Sequence, residues 1–146
     1  MTPWKRALFG SSLITATILA ALPSVRADEM VTVTLEDKGM ESMRMELSAG
    51  EIRSGKVTFH VTNASENFVH EFVVAKSDKP IQLLPYNEEE KALKEDALKV
   101  VNEIENIEPG KSGMLAISLE PGSYILLCNK TGHFKAGMVS RLTVIN

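Results

Sequence analysis

Cys128, His133 and Met138 stand in one short segment near the C-terminus, CNKTGHFKAGM, at C-x4-H-x4-M spacing. They are three kinds of metal donor. Thiolate and thioether sulfur favour Cu(I) while imidazole accepts either oxidation state, so a protein-held Cys, His and weakly bound Met suits a copper ion that cycles between the two. A trigonal arrangement needs a second imidazole. His70, in NFVHEF 58 residues before the cysteine, is the best candidate, and only a fold that pairs distant strands would bring it alongside. A lone cysteine is commonly a small buried hydrophobe, but the spaced histidine and methionine favour ligation here.

The elements that must position these residues are mostly strands. Residues 31–36 alternate Val31, Val33 and Leu35 with Thr32, Thr34 and Glu36, and residues 43–48 alternate Met43, Met45 and Leu47 with Arg44, Glu46 and Ser48. Both show the period of a half-buried strand. Residues 56–62 repeat the pattern and place His60 on the solvent face, away from any metal. In residues 68–75, Phe68, His70, Phe72 and Val74 share one face, which sets the imidazole among core groups. The stretch 87–102 reads as a helix, with Asn87 as its cap and Glu88, Glu89 and Glu90 at the positive end of the dipole. Its apolar positions Leu93, Ala97, Val100, Val101 and Ile104 would lie against a sheet, with Lys91, Lys94, Glu95 and Lys99 in water. Glu108-Pro109-Gly110 and Glu120-Pro121-Gly122 are turns around a strand at 114–119, and strands at 123–128 and 138–145 complete the set. Many short strands with Pro-Gly turns predict an all-β fold, a Greek-key antiparallel β-sandwich with one helical insertion around residues 87–102. Cys128 would end one strand and Met138 begin the next, so the ligand loop closes one end of the sandwich. Gly132 and Gly137 directly precede His133 and Met138, where the lack of Cβ permits a sharp turn.

NFVHEF followed much later by CNKTGHFKAGM resembles the cupredoxins, the plastocyanin- and azurin-like family of blue-copper proteins. The resemblance implies a cupredoxin-like sandwich holding one Cu(I)/Cu(II) ion. It makes His70 the upstream imidazole, Cys128 the thiolate, His133 the second imidazole and exit path for the electron, and Met138 the long axial ligand. It also implies that the backbone N–H of Glu71 donates to the thiolate sulfur. Two positions depart from the family's pattern. Many members carry an amide where this chain has Glu71, and a proline within the Cys–His loop where it has Thr131.

The N-terminus carries Lys5 and Arg6 ahead of an apolar run from Ala7 to Leu22 and a small-residue site Val25-Arg26-Ala27, the pattern of a cleavable export signal over residues 1–27. Residues 28–146 would then form one copper-binding domain, with no membrane span after cleavage, in the periplasm. The 16 Lys and Arg of the chain lose Lys5, Arg6 and Arg26 with the signal, which leaves 13 against 19 acidic residues. That acidity disfavours nucleic acid and suits a redox or copper-handling partner with a basic docking surface. A monomer is expected. Nothing pairs a nucleophile with a base or leaves an open coordination position, so the reading is not an enzyme but a one-electron carrier. The alternative is a protein for copper homeostasis, delivery or resistance, because Met40, Met43 and Met45 could form a second Cu(I) site. Packing competes with that idea at Met43 and Met45, which fall on a strand's inward alternation.

Overall fold

The computed structural model describes residue 1 and residues 28–146, and the expected export signal lies outside the described residues apart from Met1. Eleven strands follow in order: β1 (Glu29–Asp37), β2 (Met43–Leu47), β3 (Glu51–Arg53), β4 (Gly55–Asn63), β5 (His70–Lys76), β6 (Tyr86–Asn87), β7 (Ala92–Leu93), β8 (Lys99–Ile107), β9 (Ser112–Leu119), β10 (Gly122–Leu127) and β11 (Val139–Ile145). One sheet has the order β2-β1-β4-β9 and the other β3-β11-β10-β5-β8, while β6 and β7 form a separate small ladder. Most neighbours are antiparallel. The exceptions are β1 with β4 and β3 with β11, each parallel. A parallel pair needs a long crossover, and the chain supplies one between β1 and β4 by running through β2 and β3. Among the described residues no helix is long and apolar enough to cross a membrane.

The period-two patterns are realised. Val31, Val33 and Leu35 of β1, Val57, Phe59 and Val61 of β4, Phe72 and Val74 of β5, and Leu126 of β10 are buried together between the sheets. Phe59 and Phe72 meet across that core with ring centroids 5.2 Å apart. A second, smaller core lies on the outer side of the five-stranded sheet, where Val73, Ile125 and Leu127 meet Leu84, Leu93 and Phe134. Strands β5 and β10 are therefore covered on both faces. That explains why Val73, Val74 and Ala75, and Ile125, Leu126 and Leu127, are continuous apolar runs rather than alternations.

The helix expected over residues 87–102 is not formed. In its place stand β6, a turn, β7, a single 3-10 turn at Glu95–Ala97 and the start of β8. Asn87 does cap, but it caps a turn, its Oδ1 accepting from the N–H groups of Glu89 and Glu90. Tertiary bonds outcompete the local helical preference of the Glu- and Lys-rich stretch. Lys94 N–H donates to the Pro85 carbonyl, Gly132 N–H reaches the Lys91 carbonyl, and Leu93 is paired to a side chain of the ligand loop. Val100 and Val101, expected against a sheet, are exposed on the edge strand β8, which pairs with β5. The insert thus acts as a lid over the outer core.

Candidate metal centre

His70 opens β5, and Cys128 directly follows β10, its neighbour in the sheet. Adjacent strands thereby bring together two residues far apart in sequence. His133 comes from the loop between β10 and β11. Cys128 Sγ lies 3.4 Å from His133 Nδ1 and 3.8 Å from His70 Nδ1, and the two Nδ1 atoms are 3.1 Å apart. All three donor atoms fall within 4.8 Å of one another and all three residues are buried. His70 is sealed at 0% exposure while His133 retains 5%, so the loop histidine is the one that reaches the surface. Phe68 packs edge-on against His133 with ring centroids 5.9 Å apart. His60 stands outside the cluster, as its solvent-side position in the alternation predicts.

The ligand loop is wound tightly. Cys128 N–H donates to the Met138 carbonyl and Met138 N–H to the His133 carbonyl, so the loop closes on itself at its base. Met138 is fully buried in the main core beside Cys128. Gly137 has φ +109°, and a Cβ there would press into the carbonyl oxygen of Met43. Met43 N–H in turn donates to the Ala136 carbonyl at 2.8 Å, which joins β2 to the loop. Of the three methionines considered for a second site, Met43 and Met45 are 6% and 4% exposed and belong to the main core. Met40 is 47% exposed and sits against the loop at Gly132.

Glu71 does two jobs. A register shift between β5 and β8 falls at this residue, and its backbone N–H donates to Cys128 Sγ at 3.4 Å. Its carboxylate accepts the Asn129 N–H at 2.7 Å. The acid in place of an amide therefore still ties the His70 strand to the Cys128 loop. Burial raises the Glu71 pKa, opposed by the Asn129 hydrogen bond.

Two buried amides that the sequence did not single out hold the frame. Asn63 donates to the carbonyls of Phe68 and Ile107, both at 2.8 Å, and accepts from Ser65, which fixes the approach to His70. Asn-x-Ser is a turn-forming pattern that could have marked it. Asn129 accepts from Leu93 N–H at 2.6 Å and donates to the Leu93 carbonyl and Glu95, so it pins the insert to the ligand loop. Asn129→Ala would leave both Leu93 backbone groups buried and unpaired. We expect a loss of roughly 2–4 kcal/mol, read by urea denaturation of the metal-free protein; a loss below 1 kcal/mol would mean the insert is held by its apolar contacts alone.

Burial, reinforced by the charge of His133, lowers the His70 pKa to about 4, and burial also lowers that of His133. Both rings are neutral near pH 7, the form that can bind a metal. Burial pushes the Cys128 thiol up to about 11, so metal must displace its proton. These shifts set the pH dependence of the metal-free protein. Below the ordinary histidine value of 6.5 the unfolded chain takes up a proton that folded His70 refuses, so stability should fall as pH drops from 6.5 towards 4. Above 9.0 the unfolded thiol ionises before the folded one, so stability should also fall as pH rises towards 11. Each limb is worth on the order of 2–3 kcal/mol. Thermal melts across this range should give a plateau between about 6.5 and 9, and a profile flat down to pH 4 would contradict the burial of a neutral His70.

No protein-family model matches the chain and no curated protein matches it in sequence. Solved structures do match. Na-dithionite-reduced auracyanin from the photosynthetic bacterium Roseiflexus castenholzii superimposes with a TM-score of 0.56 at 21% identity, covering 79% of this chain and 97% of that one. Rusticyanin from Thiobacillus ferrooxidans does so with a TM-score of 0.56 at 18% identity, over 81% of this chain and 79% of its own. The chain has a cupredoxin fold. A multi-copper oxidase from Pediococcus acidilactici matches 93% of this chain with 31% of its own length, at 13% identity and a TM-score of 0.53. On this cupredoxin framework a buried thiol and two imidazole nitrogens converge, and that donor set fits one copper ion.

Proposed function

We propose that the protein is an exported, mononuclear type 1 copper protein that carries single electrons. The observation that carries this reading is the convergence of His70, Cys128 and His133 within 4.8 Å, all buried. Copper held there supplies a one-electron couple between Cu(I) and Cu(II). His70 and His133 would hold it through Nδ1 and Cys128 through its thiolate, with Met138 as the fourth ligand. Supporting the last assignment are its complete burial and the backbone bonds that close the loop between it, His133 and Cys128. Because the donors are clustered before any metal arrives, little has to move when the charge changes. His133, the less buried imidazole, is the route by which the electron leaves. Residues 28–146 are the mature periplasmic domain, a monomer released from the signal at 1–27. Its acidity suits a redox partner with a basic docking face.

Optical and EPR spectra of the Cu(II)-loaded protein, with voltammetry, test this directly. An intense visible band and a reversible one-electron wave are expected; a colourless, redox-silent copper adduct would remove the proposal. A second reading, copper buffering or delivery, has one observation in its favour, the exposed thioether of Met40 beside the ligand loop. Titration separates the two. A carrier binds a single copper tightly, whereas a delivery protein binds a second Cu(I) that is lost in Met40→Leu.

A further inference from the structure

Among the described residues, two buried side-chain polar atoms lack a hydrogen-bond partner: His70 Nε2 and Asp37 Oδ2. Buried polar atoms are nearly always paired, so each orphan needs a reason. They are chemically complementary. When Nδ1 of His70 serves as the metal donor its proton must reside on Nε2, which then requires an acceptor. A carboxylate oxygen is an acceptor only.

Asp37 is well placed to be that acceptor. It ends β1 opposite Met43, the residue whose backbone bonds the ligand loop at Ala136. Its other oxygen, Oδ1, is committed to Gly39 N–H at 3.1 Å, so the carboxylate is anchored with Oδ2 turned into the protein. Its charge acts on both His70 and His133, favouring their protonated forms, while Lys130 opposes it at both rings. A carboxylate that fixes the tautomer and orientation of a metal-binding histidine also raises the basicity of that ligand.

We propose that Asp37 is a positioning residue for the metal centre: its Oδ2 holds the proton of His70 on Nε2 across one bridging water, and so presents Nδ1 to the cluster. The reading rests on the copper site proposed above. Two substitutions separate its parts. Asp37→Asn keeps the Gly39 contact through the amide oxygen, which forces the NH2 group to the Oδ2 position, where it donates to the bridging water and turns a donor of that water towards Nε2. Asp37→Ala removes the acceptor altogether.

The first measurement needs no metal. Imidazole 15N–1H spectra of the metal-free full chain should show His70 protonated on Nε2, and Asp37→Asn should move the proton to Nδ1. The second uses Cu(II) alone. Affinity should fall 10–100-fold in both variants, and the reduction potential should rise, since loss of a nearby anion disfavours the more positive ion. Asp37→Asn with an unchanged His70 tautomer would overturn the assignment. So would unchanged copper affinity and potential in a folded variant. If the unaltered protein binds no copper, the proposed function fails, while the metal-free spectra still decide whether Asp37 sets the tautomer.

Discussion

Cys128→Ala should yield a folded protein with no intense visible absorption in the presence of Cu(II) and with copper affinity weakened by more than about 100-fold. Loss of a group that merely supports a ligand already costs 10–100-fold, and here a ligand itself is removed. The imidazoles left behind could still take copper, but they would lack the sulfur to which the proposed function assigns the colour. Folding should survive. The side chain is buried at the end of β10, where alanine is a smaller apolar substitute, and the main broken bond is the one from Glu71 N–H. That unpaired donor costs about 1–3 kcal/mol. Circular dichroism alongside the optical titration distinguishes loss of the site from loss of the fold. Blue colour retained in the variant would place the thiolate outside the centre.

Gly137→Ala is the substitution that should do the most damage to the scaffold without touching a donor. The backbone there has φ +109°, and an added Cβ meets the Met43 carbonyl oxygen, which is main chain and cannot swing away. Strain from the positive φ costs about 1–3 kcal/mol. Displacing β2 also endangers the bond from Met43 N–H to the Ala136 carbonyl, worth about 1 kcal/mol. A total of roughly 3 kcal/mol should lower the melting midpoint by about 10 °C in a domain of this size. Copper affinity should fall with it, because Gly137 lies between His133 and Met138. Gly39→Ala is the control: its φ is +98° but nothing lies within 4 Å of the added carbon, so only the strain remains. Equal effects at the two positions would show that the close approach to Met43 is unimportant.

The convergence of His70, Cys128 and His133 was legible in the sequence because histidine and cysteine are rare here and their spacing is chemically specific. Strands with one wet face were legible from alternation, and so was the inward placing of Met43 and Met45. The insert was not. Its spacing of Leu93, Ala97, Val100, Val101 and Ile104 imitates a helix, yet Leu93 is drawn to the outer core and Val100 and Val101 are left on an edge. What decides between the two is above all the bonds its backbone makes to the Asn129 side chain and to Gly132 N–H, residues far downstream that no local window contains. Asn129 and the long-range bond of Asn63 to the Ile107 carbonyl were missed for the same reason. Each asparagine is an ordinary polar residue until the fold closes around it.

Strands β5 and β10, each enclosed on both sides, carry His70 at the start of one and Cys128 just past the end of the other. The shape of the centre is consequently cast during folding, and the ion inherits it. Damage confined to the outer layer would slacken the ligand loop while sparing the inner core. Ageing or mild heating of the copper-loaded protein should then register as a broadened, heterogeneous metal spectrum well before bulk melting, which would make that spectrum a gauge of its integrity.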